Sequence, residues 1–153
     1  MQNFDHKFEN LFLYGDTGVG KTFLSHCIAR ELLRSTHCVL YFSAYDLFDM
    51  MAANSFSRKD TGTDEELIYD CDLLIIDDLG TELTNSFVSS QLFLCLNERI
   101  MRRKSTIIST NLTLKNFSDT YSERTFSRIA SNYQMISLIG KDIRIPVSYT
   151  HLR

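Results

Sequence analysis

Short apolar runs alternate with amphipathic stretches along most of the chain. Leu11-Phe12-Leu13-Tyr14 is a compact apolar run that leads into a glycine-rich segment. From Thr22 to Arg34, apolar residues recur at Phe23, Leu24, Cys27, Ile28, Leu32 and Leu33, a spacing that predicts a helix. Val39 to Phe42 reads as a second strand and Ala44 to Ala53 as a second helix. The polar stretch Asn54 to Thr63 predicts a loop, and Glu65 to Asp70 one or two helical turns. Leu73 to Ile76 is apolar throughout, as expected of a strand buried on both faces of a parallel sheet. A long amphipathic helix is predicted over Ser86 to Arg103, a fourth strand over Thr106 to Ser109, a helix over Asp119 to Ala130 and a fifth strand over Gln134 to Ile139. Strands and helices that alternate in this way predict an α/β domain, a parallel five-stranded sheet with helices on both faces.

Composition narrows the class. A length of 153 residues suits one domain, and 44% hydrophobic with 23% charged residues reads as globular. No apolar run approaches the roughly 20 residues that span a bilayer, so no membrane partner and a cytoplasmic location are expected. A net charge of -3 gives no global pull toward nucleic acid, so any DNA contact must come from a local patch. The four cysteines, Cys27, Cys38, Cys71 and Cys95, form no CxxC pair and read as buried thiols. The core is expected over residues 1–145, cut short at its N-terminal end. The last residues, 146–153 (PVSYTHLR), resemble translated adapter read-through and are expected to be a non-native tail.

The chemistry lies at the ends of the predicted strands. Gly15, Asp16, Thr17, Gly18, Val19, Gly20, Lys21 and Thr22 spell GDTGVGKT, a complete Walker A loop between a strand and a helix. Its glycines let successive backbone N–H groups turn toward phosphate oxygens. The following helix adds its positive end, Lys21 reaches the β- and γ-phosphates, and Thr22 offers a hydroxyl to Mg²⁺. ATP and Mg²⁺ are the ligands this pattern calls for. The strand Leu73-Leu74-Ile75-Ile76 ends in Asp77-Asp78, a Walker B pattern at the edge of the sheet where α/β proteins bind ligands. Asp77 is the candidate for the Mg²⁺ shell and Asp78 for orienting or polarising the attacking water, with Glu82 a further candidate four residues on.

A third strand ends in Thr110-Asn111. By itself that pair reads as a turn. If the strand lies between the two Walker strands, Thr110 and Asn111 point between γ-phosphate and water, and Asn111 becomes a sensor. Arg124 and Arg128, four residues apart, share one helix face. They read either as solvated charge or as an arginine finger for a neighbouring subunit's nucleotide. Two local basic groups could meet DNA: Arg58-Lys59 beside Phe56, and the cluster from Arg99 to Lys104. A solvated loop and a dipole-stabilised helix end are the competing readings.

GDTGVGKT, LLIIDDLGTEL, TIISTNL and YSERTFSRI, in that order and spacing, resemble the AAA+ ATPase domain of bacterial helicase loaders, the DnaC/DnaI-like proteins of the IstB-like superfamily. The resemblance covers about residues 4–145. It implies a P-loop NTPase sheet of order 5-1-4-3-2, ATP held between subunits that self-associate through that interface, single-stranded DNA binding, and a DnaB-type replicative DNA helicase as partner. It favours Arg128 as the finger over Arg124, and suggests that Gly140 to Arg144 belong to a strand pair closing the domain. IstB-like transposition helpers share the pattern, and a nucleotide-dependent DNA-binding module with little turnover is the other alternative. A GTPase switch would need an NKxD-like motif after the DxxG of Asp77 to Gly80, and none follows. A small-molecule kinase would need an acceptor pocket that is not legible.

Overall fold

A computed structural model describes residues 9–16, 18, 20–35, 37–56, 62–82 and 84–138. In chain order the elements are β1 (Leu11–Gly15), α1 (Lys21–Arg34), β2 (Val39–Ser43), α2 (Ala44–Phe56), α3 (Gly62–Asp70), β3 (Leu73–Leu79), α4 (Ser86–Met101), β4 (Ser105–Thr110), α5 (Leu114–Tyr121), α6 (Glu123–Asn132) and β5 (Gln134–Leu138). The five strands form one parallel sheet in the order β2-β3-β4-β1-β5. This is the expected 5-1-4-3-2 order read from the other edge. It places β4 between the two Walker strands.

Strand alternation divides the core into two layers. Phe12, Leu74, Ile76 and Ile108 face a thick layer built from α2, α4, α5 and α6, including Leu47, Met51, Leu92, Leu96, Phe117 and Ile129. Leu11, Leu13, Leu73, Ile75 and Ile107 face α1. The α1 layer is thin. Leu32 is buried and Leu24 and Ile28 pack in partly, but Phe23, Cys27 and Leu33 point to solvent. The helical spacing was therefore real, but its apolar stripe is broader than the sheet beneath it.

Local chemistry sets several boundaries away from their predicted places. The predicted loop from Asn54 to Thr63 is shorter at both ends, because α2 runs on to Phe56 and α3 begins at Gly62. Asp64 and Glu65 in the first turn of α3 favour its positive end. The single helix predicted over Asp119 to Ala130 is two helices. Ser122 breaks it at φ 128, and its hydroxyl accepts the Thr125 N–H at 3.2 Å to cap α6. Thr113 caps α5 in the same way, from Asn116 N–H at 3.1 Å. Of the cysteines, Cys71 and Cys95 are buried, whereas Cys27 and Cys38 are exposed.

Arg99 is not part of an open cationic patch, although it heads the Arg99-to-Lys104 cluster. Arg99 is 1% exposed. It donates to Thr106 Oγ1 at 2.9 Å, Ile68 O at 2.6 Å, Cys71 O at 3.0 Å and Ser105 O at 2.7 Å. The guanidinium thus gathers carbonyls from the end of α3 and the start of β4, where helix dipole and charge agree in sign. Arg102 pairs with Glu66 at 2.5 Å and Glu98 at 2.9 Å, and Lys104 lies 3.9 Å from Asp72. The helix end needed these cations for its own packing. Side chains of Phe56, Arg58 and Lys59, the Gly140-to-Arg144 stretch and residues 146–153 lie outside the described residues. Among the described residues, no helix is long and apolar enough to cross a membrane.

Candidate functional site

The phosphate loop leaves β1 at Gly15, whose φ is 149. A Cβ there would sit 2.0 Å from the Leu138 carbonyl oxygen of β5, so no side chain fits. Gly18 (φ 83) and Gly20 (φ 94) are also left-handed, which other residues rarely tolerate. Gly20 caps α1 without any side-chain hydrogen bond. The first N–H groups of α1 therefore remain available to an anion. Thr17 and Val19 lie outside the described residues.

Lys21 is buried, and its Nζ donates to the Gly15 carbonyl at 2.9 Å and the Asp16 carbonyl at 2.8 Å. The ammonium thus arches over the loop that a phosphate would fill. Burial pulls its pKa below the ordinary lysine range, and Asp78, Asp16 and Asp77 only partly offset that. Thr22 Oγ1 donates to Asp77 Oδ2 at 3.0 Å, bringing the two predicted metal-shell residues together.

The Walker B acids owe their placement to an irregularity in β3. Ile76 pairs with Ile108, but Leu79 pairs with Thr110, so Asp77 and Asp78 together oppose Ser109. Asp78 occupies the left-handed region at φ 57 and donates its N–H to Ser109 Oγ at 3.0 Å. Regular alternation would send the two acids to opposite faces. The bulge lets both reach the nucleotide side. Asp77 is buried, which opposes its ionisation. Hydrogen bonds from Ser109, Tyr41 and Thr22 outweigh this and hold it below the usual carboxylate range. Asp78 goes the other way. Burial and the adjacent Asp77 charge push it up, and Lys21 opposes them only in part.

Gly18, Gly20, Lys21, Thr22, Phe23, Asp78 and Asn111 line one cavity of about 330 Å³. Asn111 is among these lining residues, just past the end of β4. Thr110 is not. It is buried and donates to the Leu79 carbonyl at 2.5 Å, bracing the end of β3 instead of facing the cavity. Glu82 is also outside the cavity lining. Its carboxylate accepts the Gly80 N–H at 2.9 Å and the Tyr121 hydroxyl, which pins the turn after β3. Arg124 and Arg128 are exposed on α6, away from this lining. Arg124 stacks 3.8 Å above the Phe93 ring of the same chain.

Phe23, Tyr41 and Ser109 were not picked out from the sequence. Ser109 lies on β4 opposite Asp77 and Asp78, a placement that shows only when the register of β3 and β4 is known. Tyr41 reaches Asp77 from the neighbouring strand, a relation visible only once β2 is known to flank β3. Phe23, one of the apolar positions whose spacing predicts α1, is 62% exposed beside the phosphate loop.

The donor set fits Mg²⁺. A hydroxyl and an ionised carboxylate in contact are hard oxygen ligands. Among the described residues no group of three or more His, Cys, Asp or Glu could hold a metal by itself.

Residues 2–132 match the protein family described as IstB-like ATP binding protein. The chain is 30% identical over 141 residues to a putative insertion sequence ATP-binding protein, y4pL, of Sinorhizobium fredii (strain NBRC 101917 / NGR234). That alignment covers 89% of this chain and 57% of the relative. It is 34% identical over 127 residues to the chromosomal replication initiator protein DnaA of Zymomonas mobilis subsp. mobilis, covering 81% of this chain and 25% of that one. The chain therefore spans about half or less of these relatives' length. In three dimensions it is similar to the crystal structure of the DnaC helicase loader, at a TM-score of 0.80 and 21% identity, over 90% of this chain and 85% of that one. This similarity shows the fold, that of a P-loop AAA+ ATPase domain.

Proposed function

The chain belongs to the family of IstB-like ATP-binding proteins, and we propose that it binds ATP with Mg²⁺, hydrolyses the terminal phosphoanhydride, and serves as the ATPase core of a helicase loader that binds single-stranded DNA. The observation that carries the catalytic reading is the convergence of Lys21, Thr22, Asp78 and Asn111 on one cavity, with Asp77 bonded to Thr22.

Each side chain has a distinct task. Lys21 exchanges the Gly15 and Asp16 carbonyls for β- and γ-phosphate oxygens, so no buried ammonium is left unpaired. The loop N–H groups and the open end of α1 hold the polyphosphate. Bound between Thr22 and Asp77, Mg²⁺ would neutralise charge on the phosphate oxygens. Asp78, whose pKa is raised, accepts a hydrogen bond from the attacking water and takes up its proton. Asn111 orients the same water or the γ-phosphate. Arg128 reaches the nucleotide of a neighbouring copy, which makes self-association part of catalysis. The stacking of Arg124 on Phe93 supports Arg128 as the finger.

Asp78→Asn should retain ATP affinity and lose single-turnover hydrolysis by about 10²-fold or more, in the range of general-base contributions. Wild-type turnover in that variant would remove Asp78 from the chemistry. Arg128→Ala should spare nucleotide binding and lower turnover in mixtures with wild-type chains. If the mixtures turn over like wild type, the finger is Arg124 or absent.

The likeness to an insertion-sequence ATP-binding protein supports a second reading, a transposition helper with the same chemistry. Co-purification of the full-length protein with a DnaB-type helicase supports the loader. Co-purification with a transposase supports the helper. ATP-dependent DNA binding without measurable turnover would instead leave a nucleotide-controlled DNA-binding module.

A further inference from the structure

We propose that Tyr41 is a positioning residue for the metal-binding carboxylate of Asp77. This deepens the ATPase reading above and rests on it. Three hydroxyls from three elements meet this one carboxylate. Thr22 approaches from α1, Tyr41 from β2 onto Oδ2, and Ser109 from β4 onto Oδ1.

The three are not equivalent. Thr22 is the hydroxyl that the P-loop would offer to the cation through an oxygen lone pair, so the aim of its O–H toward Asp77 would follow the metal and could not set the carboxylate independently. A carboxylate held by Thr22 alone would then be free to turn about its Cβ–Cγ bond. Tyr41 and Ser109 grip opposite oxygens from opposite flanks, the edge strand and the central strand. Rotation breaks at least one of these bonds, so the plane of the carboxylate is fixed independently of Thr22.

The reach of Tyr41 follows from register. Ser43 is directly opposite Asp77 and Tyr41 opposite Ile75, so Tyr41 and Asp77 are diagonal neighbours on one face of the sheet. A phenol spans that diagonal, which a serine or threonine could not. The His26 ring of α1 meets the Tyr41 ring at 4.8 Å between centroids, at 64°, and backs it from the helix side. The choice of donor matters too. A phenol aims the carboxylate while leaving its charge for the cation, whereas a lysine or arginine there would neutralise it. Each carboxylate oxygen also has lone-pair capacity beyond one hydrogen bond, which leaves room for a metal-bound water.

The test is Tyr41→Phe, which removes only the hydroxyl and keeps the ring against His26. Affinity for a fluorescent ADP analogue is measured in EDTA and across a Mg²⁺ titration, with the thermal midpoint in EDTA recorded beside it. Loss of a partner that orients a metal ligand typically weakens metal affinity by 10–100-fold. The Mg²⁺ concentration that half-saturates the metal-dependent gain in affinity should rise about tenfold. Affinity in EDTA should match wild type, while the thermal midpoint in EDTA should fall by a few degrees at most, the effect of losing one hydrogen bond to Asp77. A variant that titrates with Mg²⁺ like wild type overturns the proposal, as does one whose affinity falls equally in EDTA. A wild-type chain that binds no nucleotide under either condition overturns the ATPase reading itself, a failure visible without the variant.

Discussion

Asp78, the proposed acceptor of the attacking water's proton, also carries a cost to the fold. Its pKa is raised in the folded chain, first by burial and then by Asp77. An acid that holds its proton more tightly when folded than when unfolded destabilises the fold once it is ionised in both states. The penalty is full above the folded pKa and disappears as pH falls through it toward the unfolded value near 3.9. Asp78→Asn should therefore raise the thermal midpoint of the nucleotide-free protein at pH 7. The gain should shrink as pH is lowered, because wild-type Asp78 takes up its proton in the folded chain before it would in the unfolded one. Asparagine also tolerates the left-handed φ of 57. A midpoint that drops in the variant at pH 7 would mean that attraction to Lys21 outweighs burial. Asp77 has the opposite sign: its lowered pKa contributes stability that is lost on acidification.

At the scale of elements, the clearest departure from the sequence pattern is Arg99. On a helical wheel it joins a basic cluster, and a cluster of cations at a helix end looks exposed. The structure instead needs a multivalent donor where the end of α3 meets the start of β4, and only a buried guanidinium satisfies four such acceptors together. Arg99→Leu should leave at least two buried carbonyls without partners, at about 1–3 kcal/mol each. A loss near 3 kcal/mol corresponds to a fall in midpoint of roughly 6–12 °C for a chain of this size, measured by calorimetry. An unchanged midpoint would mean that water replaces the guanidinium. The division of α5 from α6 was hidden for a related reason. Periodicity runs through Ser122, and only its capping hydroxyl and positive φ reveal the break. Strands β1, β3 and β4 were legible because each is an apolar run that ends at its chemistry.

At the scale of the whole molecule, the proposed catalytic set is a product of strand order. Lys21 and Thr22 follow β1, Asp77 and Asp78 end β3, and Asn111 follows β4. The order β3-β4-β1 brings these three ends side by side, with the end of β4 between the two Walker strands. The motifs and their resemblance to a family anticipated that order, so the main site was legible. What no motif encodes is support from outside it: Tyr41 from the edge strand, Tyr121 on Glu82, and Phe93 under Arg124. These contacts link residues far apart in the chain and appear only once the layers are assembled. The central claim is that this assembly is an ATP site with Lys21 at its centre. It is tested most directly by titrating a fluorescent ATP analogue into wild type and Lys21→Ala in the presence of Mg²⁺. The account predicts saturable binding by wild type and a loss of affinity of about 10²-fold or more in the variant, the scale of removing a charged hydrogen-bonding partner from a phosphate. Equal affinities in the two proteins would contradict it.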